Sequence, residues 1–350
     1  MELAQDTSTE MIHAFPPLCS VCIANYNGIA FIDACIKSVL AQDCSFPVEI
    51  IIHDDASTDN SVEHIRKNYP GIVLITSAEN VGFCISNNRM VDIAKGRYIL
   101  LLNNDAELFP DGLSTLHAAA ESLGKPAILG LPQYDADTNE LIDIGSRFDL
   151  FLNSIPNRDR DEPQIGMIIG ACLWLSRSLW DELGGFPDWF ESLAEDMYLC
   201  CLARFYGHTV KALPDSGFRH WVGKSLGGGK VFNNRLTTKL SRRVLSERNK
   251  TFVMTLTYPA PVFQLIFPIH LALLLMEGMI LAMLKGKPSL YKDIYWACIK
   301  AQWVERKRLQ QLRQKIQARP HIDMNKFLSV FDLMPYKLSM LWRYGFPEVR

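Results

Sequence analysis

The chain contains neither an internal repeat nor a low-complexity segment, so it is not a stacked array or a compositionally biased linker. Net charge is almost absent, at -2 over 350 residues, but it is unevenly spread. Between Lys285 and Pro320 there are ten Lys and Arg against two acids, and this local +8 leaves -10 on the remainder. An acidic body with a basic tail argues against nucleic acid as a partner and for a tail that meets an anionic membrane surface. Met1 to Pro17 lack the apolar core of a signal peptide, so the chain is expected to stay unexported with its nine cysteines reduced. Cys19 and Cys22 form a C-x-x-C with no second pair, inside an apolar run, and read as core cysteines rather than a metal or redox site. No G-x-G-x-x-G follows a strand, which disfavours a dinucleotide-dependent oxidoreductase.

What is present is a chain that is 48% hydrophobic, enough for a full core. The first half alternates strand and helix patterns. Strands are expected at Leu18–Ala24, Val48–His53, Ile72–Thr76 and Tyr98–Leu102, with helices at Phe31–Gln42, Ser61–Tyr69 and Ser86–Ala94. Such alternation implies crossover units, a mainly parallel sheet flanked by helices and an α/β fold, with ligands beyond the carboxyl ends of the strands. Further on, Ile165–Leu175 reads as a strand, Asp196–Phe205 as a helix and Gly223–Lys230 as a glycine-rich mobile loop. Val262–Leu284 is long and apolar enough to cross a bilayer, but Gln264, Pro268, His270 and Glu277 interrupt it. Tyr291, Tyr295, Trp296 and Trp303 follow in the basic stretch and suit the headgroup region, which favours helices lying in the interface over a span. An apolar helix packed on the body of the chain or on a partner, with the basic helix simply solvated, is the plainer alternative.

Three polar clusters sit at expected strand ends. In His53-Asp54-Asp55-Ala56-Ser57-Thr58-Asp59, a carboxylate can accept from a nucleobase imide or ribose hydroxyls, and helix capping accounts for Asp59. In Asn103-Asn104-Asp105-Ala106-Glu107, an acid can hold Mg²⁺ or Mn²⁺ against a diphosphate, although a turn is the ordinary reading of such a sequence. Glu195-Asp196 opens a helix; either acid can stabilise its N-terminus, and one can take a proton from a hydroxyl.

In order along residues 17 to 250, these pieces resemble the family-2 glycosyltransferases of the GT-A (Rossmann-like) fold, and most of all a rhamnosyltransferase-like subgroup. The matching pieces are Val21-Cys22-Ile23-Ala24-Asn25-Tyr26-Asn27, Asp54 to Asp59, Asn80-Val81-Gly82-Phe83, Asn103-Asn104-Asp105-Ala106, Gly170-Ala171-Cys172, Gly184-Gly185-Phe186, Glu195-Asp196 and His220. The resemblance implies an inverting transfer of one sugar from a UDP- or dTDP-sugar to a glycan or lipid-linked acceptor at the cytoplasmic side of the plasma membrane. It implies that Ala24, Tyr26, Asp55, Asn80, Gly82, Phe83 and Asn104 bind the donor nucleotide. Asp105 and His220 would hold a divalent metal, Asp196 would act as general base, and Glu195 and Trp174 would stand beside the acceptor. The metal motif has one acid, Tyr198 stands where a second acid often follows the base, and Met90 where glycine is frequent. No Q-x-x-R-W arrangement of processive synthases is present, which favours transfer of one sugar at a time. The corresponding domains are a tail at 1–16, the GT-A domain at 17–250, a membrane-associating helical region at 251–320 and a tail at 321–350. A sugar nucleotidyltransferase and a catalytically inactive nucleotide-binding scaffold are the alternatives. The first would want a basic glycine-rich loop after the first strand, of which Asn25-Tyr26-Asn27-Gly28 is a poor version.

Overall fold

A computed structural model describes residues 16–221, 228–232, 235–319, 322–345 and 348–349. The strands are β1 (Cys19–Asn25), β2 (Val48–Asp54), β3 (Val73–Thr76), β4 (Tyr98–Asn103), β5 (Ala106–Leu108), β6 (Ala127–Gly130), β7 (Gln133–Asp135), β8 (Leu141–Asp143), β9 (Ser146–Asp149), β10 (Ser154–Pro156), β11 (Cys172–Ser176), β12 (Thr209–Ala212) and β13 (Phe218–His220). Seven of them form one sheet in the order β12-β6-β11-β4-β1-β2-β3. All run parallel except β11, which is antiparallel to both β4 and β6. A four-stranded sheet, β5-β13-β7-β8, stands beyond the carboxyl end of β4.

Helices cover both faces because the central strands are apolar on both. Val21 and Ile23 of β1 pack with α1 (Ile32–Leu40), α2 (Ser61–Asn68) and α4 (Gly112–Leu123), while Cys22 faces the cluster that holds α3 (Phe83–Ile93), α5 (Arg177–Leu183) and α6 (Glu195–Phe205). Side chains three apart on a strand point to opposite faces. Cys19 and Cys22 therefore lie in different cores and cannot share a metal, and burial raises both thiols above their ordinary range.

The carboxyl half continues through α7 (Leu240–Thr257) and α8 (Ala260–Lys285), then α9 (Pro288–Leu290), a π-helical turn at Tyr291–Trp296, α10 (Ala297–Val304), α11 (Arg306–Gln317), α12 (Met324–Leu328) and α13 (Tyr336–Tyr344). Ile266, His270, Leu274, Gly278 and Leu281 of α8 are buried at three- and four-residue spacing, and Gly278 lies against the Tyr295 ring. The opposite face carries Leu265, Ile269, Leu273, Met276, Ile280 and Met283, all exposed. The helix is thus packed along one side and apolar along the other.

Three boundaries differ from the sequence reading. Ile165–Leu175 is not one strand: β11 begins only at Cys172, because Gly170 and Ala171 turn the chain at the rim and the Gly170 amide bonds the Asp196 carboxylate. α7 runs through residue 250, across the point where the first domain was taken to end. Among the described residues, 322–345 are folded onto the body: Phe331–Asp332 pairs with β9, Phe327 and Val330 are buried, and Arg147 bonds Asp332. Of the expected glycine-rich loop, 223–227 lie outside the described residues, and Gly228–Phe232 is a strand paired with Arg235–Thr238.

Candidate active site

The rim at the carboxyl ends of β1, β2 and β4 is assembled by short polar residues. Asn25 ends β1 and donates to Asp54 at 2.8 Å, and Asp54 accepts from the Ser57 amide at 2.9 Å and the Ser57 hydroxyl at 2.7 Å. Ala24 pairs between His53 and Asn103, and the exposed Tyr26 lies just beyond the strand. Asp59 accepts from the Ser61 amide at the start of α2 at 3.0 Å, which is a capping role. The buried Asp55 carboxylate accepts from the Val81 amide at 2.7 Å and the Gly82 amide at 2.9 Å. Charge-assisted bonds of this kind fix the 80–83 turn directly beside Asp55. Asn80 reaches back to the Asp55 carbonyl at 3.4 Å. Gly82 adopts φ +90°, and a Cβ there would stand 3.0 Å from the Glu191 carbonyl. Glycine at 82 therefore lets the turn touch the loop that precedes α6.

At the end of β4, Asn104 donates to Asn25 at 2.8 Å. Asp105 is fully buried; its Oδ1 is 3.0 Å from His220 Nε2, and its Oδ2 has no hydrogen-bond partner. His220 Nδ1 is 2.9 Å from Gln133 Nε2, so β7 and β5 hold the imidazole against the aspartate. A buried carboxylate oxygen without a donor is costly, and a cation would relieve it. A carboxylate oxygen suits Mg²⁺ or Mn²⁺, and the imidazole nitrogen, a softer donor, turns the pair away from Mg²⁺. Among the described residues no cluster of three or more His, Cys, Asp or Glu forms a metal cage.

Asp196 is placed by a strained approach. Glu191, Leu193 and Ala194 all have positive φ, between 63° and 71°, immediately before α6. Such backbone persists only where its surroundings hold it. The Asn249 amide of α7 does this by donating to the carbonyls of Phe190, Ser192 and Leu193 at 2.8–2.9 Å. The Asp196 carboxylate accepts from Gly170 at 3.0 Å and from Met197 at 2.7 Å. Ala171 meanwhile accepts from the Asn103 amide at 3.1 Å, so Asp196 stands on the same rim as Asp55 and Asp105. Burial raises the pKa of Asp196; for Glu195, burial and the adjacent Asp196 charge raise it further.

A cavity of about 750 Å³ runs from this rim, and Phe83, Asn103, Glu195, Asp196 and His220 line its inner end. Trp174 is not among them. It is fully buried on the other face of the sheet, stacked on Tyr98 at 4.9 Å, because β11 turns alternate residues away from α6. Its expected place beside the acceptor is therefore corrected to a core position. The cavity also brings in residues that sequence reasoning missed: Arg242 and Lys250 of α7, Glu277 of α8 and Lys337 of α13. Arg242 faces Glu195 and Asp196, and their charges oppose the lowering of its pKa by burial. The signal available for Arg242 and Lys250 was the charged pattern of 241–250 at the start of a helix that crosses the chosen boundary.

Residues 20–184 match the Glycosyl transferase family 2 model. The matched segment, a little under half of the chain, runs from β1 into α5 and contains Asp55 and Asp105. YibD of Escherichia coli (strain K12), named as an uncharacterized glycosyltransferase, is 36% identical over 104 residues, 29% of this chain and 30% of that protein. WcaA of the same organism, which bears the name of a colanic acid biosynthesis glycosyl transferase, is 35% identical over 123 residues, 34% of this chain and 43% of that protein. The chain thus spans well under two thirds of the length of either relative. The mannosyltransferase PcManGT from Pyrobaculum calidifontis, solved with GDP-Man and Mn²⁺, superposes with TM-score 0.51 at 17% identity over 83% of this chain and 89% of that one. The fold is GT-A, with a central sheet flanked by helices and a helical carboxyl-terminal region.

Proposed function

We propose that the chain is an inverting, metal-dependent transferase of hexosyl type, moving one sugar from a nucleoside-diphosphate donor to a hydroxyl of a glycan or lipid-linked acceptor. The observation that carries this reading is the partnerless, buried Asp105 Oδ2 beside His220, at one end of a cavity that also holds Asp196. Asp55 and the 80–83 turn receive the nucleotide, with UDP or dTDP favoured by an acceptor that suits an imide N–H. Asp105 and His220 would hold the metal, whose charge offsets that developing on the departing diphosphate. Asp196, its orientation fixed by the Gly170 and Met197 amides, takes the proton from the acceptor hydroxyl. Glu195, with its raised pKa, carries a proton more readily than an ordinary carboxyl and so lightens the like charge beside the base.

Cell-surface polysaccharide is the product class favoured by the relative named for colanic acid biosynthesis, and the motifs in the sequence resemble those of a rhamnosyltransferase-like subgroup. The membrane surface is the site of action in this reading. Support comes from the exposed apolar face of α8, which lies flat more readily than it crosses, and from the basic stretch after it. Thermal denaturation with UDP-, dTDP- and GDP-sugars, with and without Mn²⁺, tests the assignment. A donor should raise the melting temperature more with Mn²⁺ than alone, and Asp105→Ala should abolish the difference. Equal stabilisation of wild type and Asp105→Ala by donor with Mn²⁺ would remove Asp105 from the metal site.

A further inference from the structure

The cavity extends well past the residues that the transfer reaction uses. From Asp196 and His220 it continues between α8 and α13, where Leu273, Met276 and Ile280 face Leu338 and Leu341, and its wall is mostly carbon. Its floor carries charges, three cations and two carboxylates, each held in an ion pair. Glu247 meets Lys250 at 2.8 Å and Lys337 at 2.5 Å; Glu277 meets Lys337 at 2.8 Å and also bonds Arg243. A floor whose charges are paired in this way offers few free partners to sugar hydroxyls. Arg242 differs, having no salt bridge to a carboxylate among the described residues, and it sits at the inner end facing Glu195 and Asp196.

The outer end is open. Met276 and Ile280 line the cavity and are also 47% and 39% exposed, so the groove merges with the exposed apolar face formed by Ile269, Met279 and Met283. An occupant would therefore have a polar, anionic part at the catalytic end and an apolar part leading outward along α8.

We infer that this groove binds the lipid of the acceptor: an amphiphile whose phosphate lies by Arg242 and whose apolar chain lies along Leu273, Met276 and Ile280 before leaving at the outer face of α8. The inference rests on the transferase reading, since it makes the groove's occupant the second substrate. It narrows that reading from a glycan or lipid-linked acceptor to an acceptor carried on a phosphorylated lipid. Continuity of the groove with the base, rather than its apolar character alone, is what selects a substrate over an unrelated lipid. The geometry further gives the two helices distinct roles: α8 supplies one wall and the exit, and α13, at the far end of the chain, supplies the other wall.

Equilibrium dialysis of the full chain against farnesyl phosphate, kept below its aggregation limit, tests this, with farnesol, inorganic phosphate and maltose as competitors. Saturable binding is expected, weakened at least tenfold in Arg242→Gln and in the double variant Met276→Asp/Ile280→Asp. Both apolar positions are partly exposed, so these changes spare the core. Met283→Asp, on the same helix, 81% exposed and outside the groove, should bind as wild type does. Nucleotide-sugar binding with Mn²⁺, measured in parallel, should be unchanged in the double variant. Farnesyl phosphate binding that is absent, equal in the double variant, or equally reduced by Met283→Asp would overturn the groove. Farnesol binding as tightly as farnesyl phosphate, or unaltered binding in Arg242→Gln, would overturn the phosphate contact. Maltose displacing the lipid would assign the groove to a glycan. Intact donor binding alongside any of these failures leaves the transferase reading standing, whereas loss of donor binding in the wild type sinks the transferase reading itself.

Discussion

Replacing Asp196 by Asn is the most direct perturbation of the proposed chemistry, and the structure shows that it is not a silent change. Both carboxylate oxygens are acceptors, one for the Met197 amide at 2.7 Å and one for the Gly170 amide at 3.0 Å. An Asn side chain can keep only one of these bonds, and turns an N–H toward the other donor. Leaving a buried amide without its partner costs about 1–3 kcal/mol. A domain of ordinary stability, about 5–15 kcal/mol, remains folded after such a loss. The catalytic effect should be larger: a positioned general base contributes about 10²–10⁴-fold. Transfer of radiolabelled sugar should fall by that factor while the melting temperature drops by only a few degrees. In the wild type the rate should rise with pH through a midpoint above the ordinary carboxylate value, because burial holds the proton on Asp196 and Asp196 must lose it to act. In Asp196→Asn that limb should vanish. A folded Asp196→Asn protein within tenfold of the wild-type rate, with the same pH limb, would refute the reasoning.

Two further predictions concern stability. A Cβ at Gly278 would stand 2.6 Å from the buried Tyr295 ring, so Gly278→Leu should destabilise by about 1–3 kcal/mol in denaturant titration. Gly71→Ala, which would meet nothing within 4 Å, is the near-neutral control. Burial pushes the Asp143 pKa from 3.8 up to about 6, against the opposing bonds from Asn157 and Ser146. The folded state then holds this proton more tightly than the unfolded chain, so stability falls as pH rises from about 4 to about 6 and levels off above. The shift corresponds to about 3 kcal/mol. Asp143→Asn should remove that much of the difference in unfolding free energy between pH 4 and pH 7, and an unchanged pH dependence would exclude the assignment.

The half of the fold from β1 to β4 was legible because its signals are local. β-branched runs such as Ile50–Ile52 name a buried strand without help from the rest of the chain, and the helix read at Ser86–Ala94 is the body of α3, which starts three residues earlier at Phe83. The polar residues that close the strands, Asp55 and Asp105, were legible for the same reason. The acceptor side depends on distant pairings that no short window contains. Asn249 clamps a loop 56–59 residues away, and Lys337 answers Glu247 across 90 residues. Trp174 was misplaced because one residue of register decides which face of a strand a side chain takes, and the start of β11 was set by Gly170 rather than by its apolar run. The final segment was read as a tail because its apolar residues, Phe327 and Val330, are too few to announce a core; they are buried only because β9 and Tyr258 receive them.

The reversed direction of β11 has a consequence for how such a protein can diverge. Every other strand of the main sheet delivers its outgoing connection to the reactive edge, so changing that connection alters the step into the next helix. β11 delivers its incoming one instead, and the long excursion from β6 to Gly170 arrives there. Residues can be added to or exchanged within that excursion without moving β4, β1 or β2. In the proposed transferase, one portion can thus acquire a new recipient molecule while the strands that carry Asp55 and Asp105 keep their places.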